Sequence, residues 1–486
     1  IEVGYFSSSI ISNTIMSETF SVRFVRLLRQ NMNVVFLILG IVVLSLLYPL
    51  VIDWQVFDPK KAMPPFFVWI FVIVMGGMTV ATGVRTVFLT DSTTFRKLLV
   101  ISFVVAAVGQ LLGFAIGAIW LFCGISYVYA IAQKKFYLPV GILVLLVAYY
   151  LFQMTGLIGA VETKDALHTL KQRLPLLALP LALCCWRPTR TEWGVFLSFS
   201  FRLVLVYLSC IILISLLLTQ YFGQSVLSPF SFDKFYLKAH IPMPASSFCM
   251  LHWTHFAHPT YIFLGIFAIF MAVAVRQYFY REQMVSTVEM IYGLVALSCF
   301  AFITQSRLAM LFIPLSIMFF FLVRAFFLSQ KKKLLFVSFI LIIVGGFIFN
   351  GLLSHRFFAD GERMQMRDIA MNAINRHPLT GIRLGTMDNI LQAQIDTDIL
   401  LKHPHNQLLA DGMQLGIPGM VVLVVFVGGL FYFAYRDRRY DFLLFLPAIL
   451  LIMAVESPLI FVRGAYLLAF WFSVFAVSPT RKKDFA

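Results

Sequence analysis

Apolar runs of about 20 residues recur along the whole chain, and short polar intervals separate most of them. A helix needs about 20 consecutive apolar residues to cross the hydrocarbon core of a membrane, so each run predicts one span. The predicted spans cover residues 33–52, 65–84, 98–114, 115–132, 138–157, 172–186, 194–219, 256–275, 285–304, 308–328, 334–353, 417–435, 441–456 and 459–477. The pattern therefore predicts an all-α polytopic membrane protein with about 12–14 transmembrane helices.

Two of the runs leave the number of spans open. Residues 98–133 fit either a tight helical hairpin or one long helix, and the run 172–186 is short and interrupted by Pro175 and Pro180. Removing one hairpin lowers the count from about fourteen spans to about twelve, and every other loop stays on the same side of the membrane.

The composition and the distribution of charge agree with a membrane protein. Of the 486 residues, 60% are hydrophobic and 12% are charged, whereas soluble domains are about 45–50% apolar and about 25% charged. The net charge of +16 does not indicate nucleic-acid binding, because most Lys and Arg residues form short clusters in alternate loops. These clusters predict that both ends of the chain lie in the cytoplasm. The cysteines show no zinc-type spacing, and all but Cys249 lie within or beside the spans, where we expect them to pack.

The longest polar interval, residues 354–416, is predicted to be a helical loop on the outer side of the membrane. Asp360 is a good N-cap for a helix that Pro378 ends, a second helical segment follows over 388–403, and Asn406 begins a third helix. Long loops in compact proteins are usually functional or disordered. The other predicted parts are a cytoplasmic or interfacial segment 1–32, a helix bundle 33–353, C-terminal helices 417–477 and a cytoplasmic tail 478–486.

The end of this loop carries the sequence His403-Pro-His-Asn, the first candidate site. If Asn406 begins a helix, His405 lies at the mouth of a helix that enters the membrane. An imidazole at such a position can accept a proton from a hydroxyl group. Two other interpretations stay open: an interfacial histidine without chemistry, and a metal site with His403 and His405 as ligands.

The same predicted helix contains small residues at Gly412, Gly416 and Gly419. Gly412 and Gly416 are four residues apart and are predicted to share one helix face. Small residues at that spacing allow the backbone of another helix to approach closely. We therefore expect this face to pack tightly and to fix the position of His405.

Arginines near the outer side form a second set of candidates. Arg307 lies between two apolar spans, where a charge is costly and usually marks function. Arg363 and Arg367 are four residues apart on one predicted helix face, and their forked donors suit phosphate oxygens. Other interpretations stay open, because Arg307 can extend to the outer headgroups. Arg363 and Arg367 can form a solvated basic face or pair with Glu362.

Two further polar segments contain candidate residues. The stretch HWTHFAHPTY, which ends at Tyr261, has histidines three residues apart. On a helix this spacing does not bring three metal ligands together, so a polar rim at the interface is the favoured interpretation. Glu456 and Arg463 flank the outer turn between the last two predicted spans, where they can pair with each other or line a cavity.

Three of these segments, taken in order, resemble the O-antigen ligase and polymerase superfamily of bacterial envelope glycosyltransferases. His405 and Asn406, followed after nine residues by the Gly-x-x-Gly that starts at Gly416, match the ligase pattern. The segment ITQSRLAM around Arg307 resembles the Thr-Gln-Ser/Thr-Arg entry of the family to a span. The segment RMQMRDIAMNAINRHPLTG resembles the helix of its long periplasmic loop, with Arg363 at the characteristic arginine.

The resemblance extends over roughly residues 170–477 and is strongest over 300–420. The segments LPLLALPLAL and AVESPL are weaker similarities. The chain departs from the family pattern at Arg367, where an aromatic residue is common, and at Arg383, where a second glycine is common.

The resemblance implies glycan transfer on the periplasmic face of the inner membrane, as in lipopolysaccharide biosynthesis. The donor would be a glycan on undecaprenyl pyrophosphate. The acceptor would be a sugar hydroxyl of lipid A core in a ligase, or the end sugar of another lipid-linked repeat in a polymerase. The resemblance also implies similarity to the C-type membrane glycosyltransferases, inversion at the anomeric carbon, and no need for a metal or other cofactor.

The resemblance further assigns roles to the candidate residues. His405 would act as the general base on the acceptor hydroxyl. Arg307, Arg363 and Arg367 would bind the donor pyrophosphate and stabilise the charge that develops on it. The residues expected to support them are Asn406, His403, Gly416, Gly419, Tyr261 and Glu456.

Alternatives remain within this class and outside it. The complete His-Asn and Gly-x-x-Gly pattern favours a ligase over a repeat-unit polymerase of the same superfamily. A flippase or transporter for lipid-linked oligosaccharides would also explain the many spans. However, transporters usually have internal repeats and binding residues near the membrane midplane, whereas the candidates here cluster on one predicted side. A scaffold without enzymatic activity is the remaining alternative.

Overall fold

The computed structural model describes residues 93–111, 115–221, 259–304, 361–394 and 404–479, and the single residues 309, 313, 317 and 320. These residues form helices and no strand. In chain order the helices are α1 Thr94–Gly109, α2 Ala115–Gln133, α3 Gly141–Met154, α4 Thr163–Arg173, α5 Pro175–Cys185, α6 Arg190–Tyr221, α7 Pro259–Tyr278, α8 Thr287–Ile303, α9 Gly361–Arg376, α10 Met387–Gln394, α11 Gln407–Arg436, α12 Tyr440–Val455 and α13 Val462–Val477.

Several of these helices are suited to cross a membrane. The helices that are long and apolar enough include the segments Ile116–Gln133, Arg190–Ser209, Thr260–Tyr278 and Gln407–Arg436. Shorter apolar helices cover Gly141–Leu157, Thr287–Ile303, Tyr440–Val455 and Val462–Val477. The chain is therefore an all-α polytopic membrane protein, as its sequence predicts. The predicted spans 33–52, 65–84 and 334–353, and all but single residues of 308–328, lie outside the described residues.

The two uncertain runs have separate outcomes. Residues 98–133 form the two helices α1 and α2, which pack against each other, so the hairpin alternative is confirmed. The run 172–186 contains α5, which has only 11 residues. At about 1.5 Å per residue, this helix is too short to cross a hydrocarbon core of about 30 Å by itself. Pro175 lies in its first turn, where the missing N–H leaves no helical hydrogen bond unmade.

Helix α13 lies in the core of the bundle and ends the described part of the chain. All its residues from Gly464 to Val477 are buried, and it packs against α2, α3, α4, α5, α7 and α12. A helix that is apolar on all sides is stable when it is surrounded in this way. Aromatic rings fill the core nearby, where Phe103 contacts both Phe196 and Phe470.

Two buried arginines hold the C-terminal end of α13. Arg439 donates from Nη1 to the carbonyl oxygens of Phe475 at 3.1 Å and Ser478 at 2.8 Å. Arg276 donates to the carbonyl oxygen of Pro479. The last carbonyls of a helix have no partner within the helix, so these contacts fix this end. The N-terminal end of α13 follows the turn that carries Glu456, where the candidate site begins.

Candidate active site at the start of helix α11

His405 and Glu456 meet at the start of α11. The helix is capped by Asn406, whose side-chain oxygen accepts a hydrogen bond from Leu409 N at 3.0 Å, so the predicted helix start is confirmed. His405 precedes the cap in the left-handed region, with φ 48°. Its Nδ1 lies 3.0 Å from Oε2 of Glu456, the residue that ends α12. Both side chains keep some exposure, 21% for His405 and 15% for Glu456.

The residues after His405 bind the turn 456–461 between α12 and α13, here named the outer turn after the side of the membrane that the sequence predicts for it. The backbone N–H of Asn406 donates to Ser457 Oγ at 3.1 Å, and its side-chain amide donates to the Ala454 carbonyl at 3.1 Å. Gln407 accepts a hydrogen bond through Oε1 from the Leu459 backbone N–H at 2.9 Å. The His-Asn-Gln sequence is therefore attached residue by residue to the segment AVESPL, one of the two weaker family similarities.

This arrangement is suited to proton transfer. When His405 donates from Nδ1 to the Glu456 carboxylate, its lone pair is on Nε2, the nitrogen that can accept a proton from a hydroxyl. The carboxylate also orients the ring, as the third group does for a base in nucleophilic active sites. Partial exposure allows a substrate to approach this pair. The sequence predicted His405 and named Glu456, but it offered Arg463 as a partner for Glu456 and not His405.

A buried polar network adjoins this contact, and the sequence analysis missed it. Asp411 lies one turn into α11 and is fully buried. Its carboxylate accepts hydrogen bonds from the Tyr149 hydroxyl at 2.5 Å and from Gln407 Nε2 at 3.0 Å. An acidic residue one turn into a predicted membrane helix was the available signal, because ionisable groups at membrane depth are costly and usually functional.

Arg173 is the second charged member of the network. It ends α4 and is fully buried. Its Nε donates to the Leu459 carbonyl at 3.2 Å, its Nη2 donates to Gln414 Oε1 at 2.7 Å, and its Nη1 donates to the Gln153 side chain. It also interacts electrostatically with Asp411. The guanidinium thus connects α3, α4, α11 and the outer turn.

Gly416 breaks α11 instead of extending one regular face. Its φ of 72° and ψ of −165° are not helical and belong to a region that is essentially restricted to glycine. The prediction that Gly412 and Gly416 share one regular helix face is therefore wrong. At Gly416 the close approach that the spacing suggested does occur, but the partner is the backbone of a turn. A Cβ added to Gly416 would lie 2.5 Å from the Pro378 carbonyl oxygen.

The break in α11 frees backbone groups that the loop after α9 then binds. Ile417 N donates to the Pro378 carbonyl at 2.7 Å, and Ile382 N donates to the Met413 carbonyl at 2.8 Å. Buried backbone groups need such partners. A Cβ on Gly381 would lie 2.5 Å from the backbone of Gln414. The backbone of the loop after α9 therefore packs directly against the backbone of α11 near its break.

The remaining glycines of the motif also sit in crowded positions. A Cβ on Gly412 would lie 2.9 Å from Ile374 of α9, and one on Gly419 would lie 2.5 Å from the Asp411 carbonyl oxygen. The small residues therefore let α9 approach α11 and let α11 bend after Asp411. Both effects bring the predicted loop against the helix that His405 precedes.

Helix α9 corresponds to the first helix predicted in the loop 354–416, so this prediction is confirmed. Its apolar face, including Met366 and Ile374, packs with Met413 of α11 and Ile460 of the outer turn. Arg367 is on the exposed face of α9. Among the other predicted arginines and histidines, the side chain of Arg363 and all atoms of Arg307 and His403 lie outside the described residues.

Two predictions from the sequence remain, the supporting residue Tyr261 and the alternative of a metal site. Tyr261 lies at the start of α7, is buried, and is close enough to Glu456 to interact with it electrostatically. The histidines that precede it in HWTHFAHPTY lie outside the described residues. Within the described ranges, no group of three or more His, Cys, Asp or Glu side chains is arranged to hold a metal ion.

Comparison with known families gave a match, which includes part of this site. A family model described as O-antigen ligase matches residues 292–424. The matched segment begins in α8, includes the loop helix α9, and extends through His405 and the Gly416 break into α11. Comparison with curated proteins gave no match. This match over residues 292–424 supports the O-antigen ligase superfamily that the motifs of the chain predicted.

Proposed function

We propose that this protein is an O-antigen ligase-type glycosyltransferase that moves a glycan from undecaprenyl pyrophosphate to a sugar hydroxyl of lipid A core. The observation that carries the proposal is the 3.0 Å contact between His405 and Glu456, with His405 inside the O-antigen ligase domain. A partly exposed imidazole held by a carboxylate suits general-base catalysis. The proposed location is the bacterial inner membrane, with this site facing the periplasm.

The proposed reaction is a single displacement at the anomeric carbon of the donor. His405 Nε2 takes the proton of the acceptor hydroxyl while the hydroxyl oxygen forms the new bond to C1 of the donor sugar. The bond between C1 and the phosphate oxygen breaks, and its electron pair leaves with undecaprenyl pyrophosphate. Attack from the face opposite the leaving group inverts the anomeric centre. Glu456 stabilises the imidazolium that forms, because a carboxylate favours a neighbouring positive charge.

The arginines of the family motifs supply the charge that the leaving group requires. Arg307 and Arg363 are proposed to bind the pyrophosphate, with Arg367 as a further candidate on the same helix as Arg363. The support for Arg363 and Arg367 is that α9 packs against the start of α11 and the outer turn. The support for Arg307 is its motif within the matched domain.

Replacing Arg307 or Arg363 with alanine is expected to weaken donor binding and to slow transfer, because the pyrophosphate is charged before and during the reaction. We expect kcat/KM for the donor to fall about 10- to 100-fold in each variant. Lysine is expected to restore little, since a point charge cannot reproduce a forked contact. Donor titrations with each Ala and Lys variant check this expectation, and full recovery by lysine would contradict it.

Replacing Glu456 with glutamine is expected to lower kcat about 10- to 100-fold, less than loss of the base itself. The substitution keeps the shape of the side chain but removes the charge that stabilises the imidazolium. KM for the donor is expected to stay the same, because Glu456 is not proposed to contact the pyrophosphate. The matched control is Glu289→Gln, which removes a carboxylate paired with Arg202 at the start of α8. Equal rates in the two variants would exclude a catalytic role for Glu456.

Transfer is expected to survive exhaustive treatment with a metal chelator, because His405 acts as a base and arginines neutralise the pyrophosphate. Purified protein treated with EDTA and then dialysed should retain its initial rate within about twofold. Loss of activity that one divalent ion restores would instead favour His403 and His405 as metal ligands.

A reconstituted transfer reaction tests the function as a whole. Purified protein receives a glycan on undecaprenyl pyrophosphate together with either lipid A core or a second lipid-linked repeat. Glycosylated lipid A core is the expected product, and a dimer of repeats would establish the polymerase alternative. The complete His-Asn and Gly-x-x-Gly pattern favours the ligase. Movement of the glycan across vesicle membranes without a new glycosidic bond would identify a transporter.

A further inference from the structure

The outer turn that carries Glu456 is held at its centre by both backbone groups of one residue. The Leu459 carbonyl accepts a hydrogen bond from Arg173 Nε at 3.2 Å, and the Leu459 N–H donates to Gln407 Oε1 at 2.9 Å. Leu459 is only three residues from Glu456, and Pro458 lies between them. Because proline restricts the backbone, a shift at Leu459 changes the position of Glu456.

Arg173 is placed to act through this turn and not on a substrate. It is fully buried, and its other nitrogens are used by Gln153 and by Gln414 at 2.7 Å. A planar guanidinium can meet three acceptors in fixed directions at once. A lysine ammonium retains the charge but cannot reproduce this geometry.

Asp411 orients Gln407, whose Oε1 makes the second contact with Leu459. It accepts from the Tyr149 hydroxyl through one oxygen and from Gln407 Nε2 through the other. Binding of the Gln407 amide nitrogen by Asp411 turns the amide oxygen toward Leu459, because the two ends of a carboxamide point in different directions. Asp411 also interacts electrostatically with the buried Arg173, and a buried charge without compensation is strongly destabilising.

We propose that Arg173 and Asp411 are positioning residues that hold Glu456 against His405 by fixing Leu459 from two sides. The inference rests on the proposed role of the His405–Glu456 pair. It adds that the rate of the base-catalysed step depends on a charge network to which the substrate has no access. The two residues come from distant parts of the sequence, at positions 173 and 411.

Coupling between Arg173 and Glu456 tests this inference. Arg173→Lys is expected to lower kcat about 10-fold with KM for donor and acceptor unchanged, because only the alignment of the base is disturbed. In a Glu456→Gln background, the same substitution is expected to lower kcat by less than about 3-fold, because residues that act through one another are not additive.

The matched control is Arg439→Lys. Arg439 is also buried and donates to two backbone carbonyls beside α13, but at its other end. Its effect on kcat is expected to be small and the same in both backgrounds. Tyr149→Phe is a milder second variant that removes one donor to Asp411, and we expect it to lower kcat about 3-fold with the same coupling to Glu456. It is informative even if Arg173→Lys does not fold.

The outcomes separate the two proposals. Normal kcat in Glu456→Gln would reject the proposed catalytic pair itself. A large loss in Glu456→Gln, combined with full additivity of Arg173→Lys and Tyr149→Phe, would reject only the positioning role. A rise in KM without a fall in kcat would also reject it. Loss of kcat that disappears in the Glu456→Gln background supports it.

Discussion

Replacing His405 with alanine is expected to abolish nearly all glycan transfer while leaving donor binding mostly intact. A general base contributes about 10²–10⁴-fold to a rate, and a sugar hydroxyl is a poor nucleophile until its proton is removed. Donor binding depends instead on the arginines that are proposed to hold the pyrophosphate. The measurement is the single-turnover rate with saturating donor, compared with donor binding by the same protein.

The backbone at His405 requires a second variant. Its φ of 48° is one that alanine adopts at some cost, whereas asparagine tolerates the left-handed region. His405→Asn therefore removes the base with less change to the backbone, and we expect it to be as inactive as His405→Ala. His377→Ala is the matched control, because this histidine is exposed in the same loop after α9.

Each result for the two histidines of the motif has a separate meaning. His403→Ala is expected to matter less than His405→Ala, since a residue before proline is predicted to be extended and His403 is therefore not expected to share the position of His405 at the start of the helix. Inactive His403→Ala with active His405→Ala would reverse the two roles. Normal turnover by both variants would mean that the motif is structural.

The helices of this protein were predictable because the membrane imposes length and polarity on each one. A span must be apolar over about 20 residues and must satisfy its backbone internally, and both requirements are visible in a local window. The same holds for the start of α11, because Asn406 is a local signal for a helix cap. His405 could be placed at the helix mouth for this reason.

The contacts of the site were not predictable in the same way. His405 and Glu456 are 51 positions apart, and the Tyr149–Asp411 hydrogen bond joins positions 262 apart. A local sequence pattern does not show which polar residue of one helix contacts which polar residue of another helix. Arg463 was the partner that the sequence suggested for Glu456, because the two lie close together in the chain. The contact of Glu456 with His405 depends instead on the packing of α12 against α11.

Gly416 shows how a local rule can fail where a helix is broken. A spacing of four residues places two glycines on one face only if the helix between them is regular. The break at Gly416 instead frees backbone groups that the loop after α9 binds, as Ile417 N does with the Pro378 carbonyl. The loop that follows α9, the helix of Arg363 and Arg367, is thereby fixed to the helix that His405 precedes.

Replacing Gly416 with alanine is expected to leave little stable, transfer-competent protein. The conformation at this position costs any residue with a Cβ about 1–3 kcal/mol through backbone strain alone. The added Cβ would also lie 2.5 Å from the Pro378 carbonyl oxygen and 2.9 Å from the Thr380 nitrogen. Both neighbours are backbone atoms, so relief requires the loop to move away and to lose its hydrogen bonds to α11.

Gly428→Ala is the matched control, because Gly428 lies in the same helix with nothing within 4 Å of an added Cβ. Alanine is favoured over glycine in a regular helix by about 1 kcal/mol, so this variant is expected to be as stable as the parent or slightly more so. The measurement is the half-life of monodisperse protein in detergent on heating, followed by the transfer rate of the surviving fraction. If Gly416→Ala matched Gly428→Ala in both stability and transfer rate, the bend would not be what holds the loop against α11. If Gly416→Ala were as stable as the parent but transferred glycan more slowly, the bend would serve mainly to position Arg363 and Arg367 of α9 relative to His405.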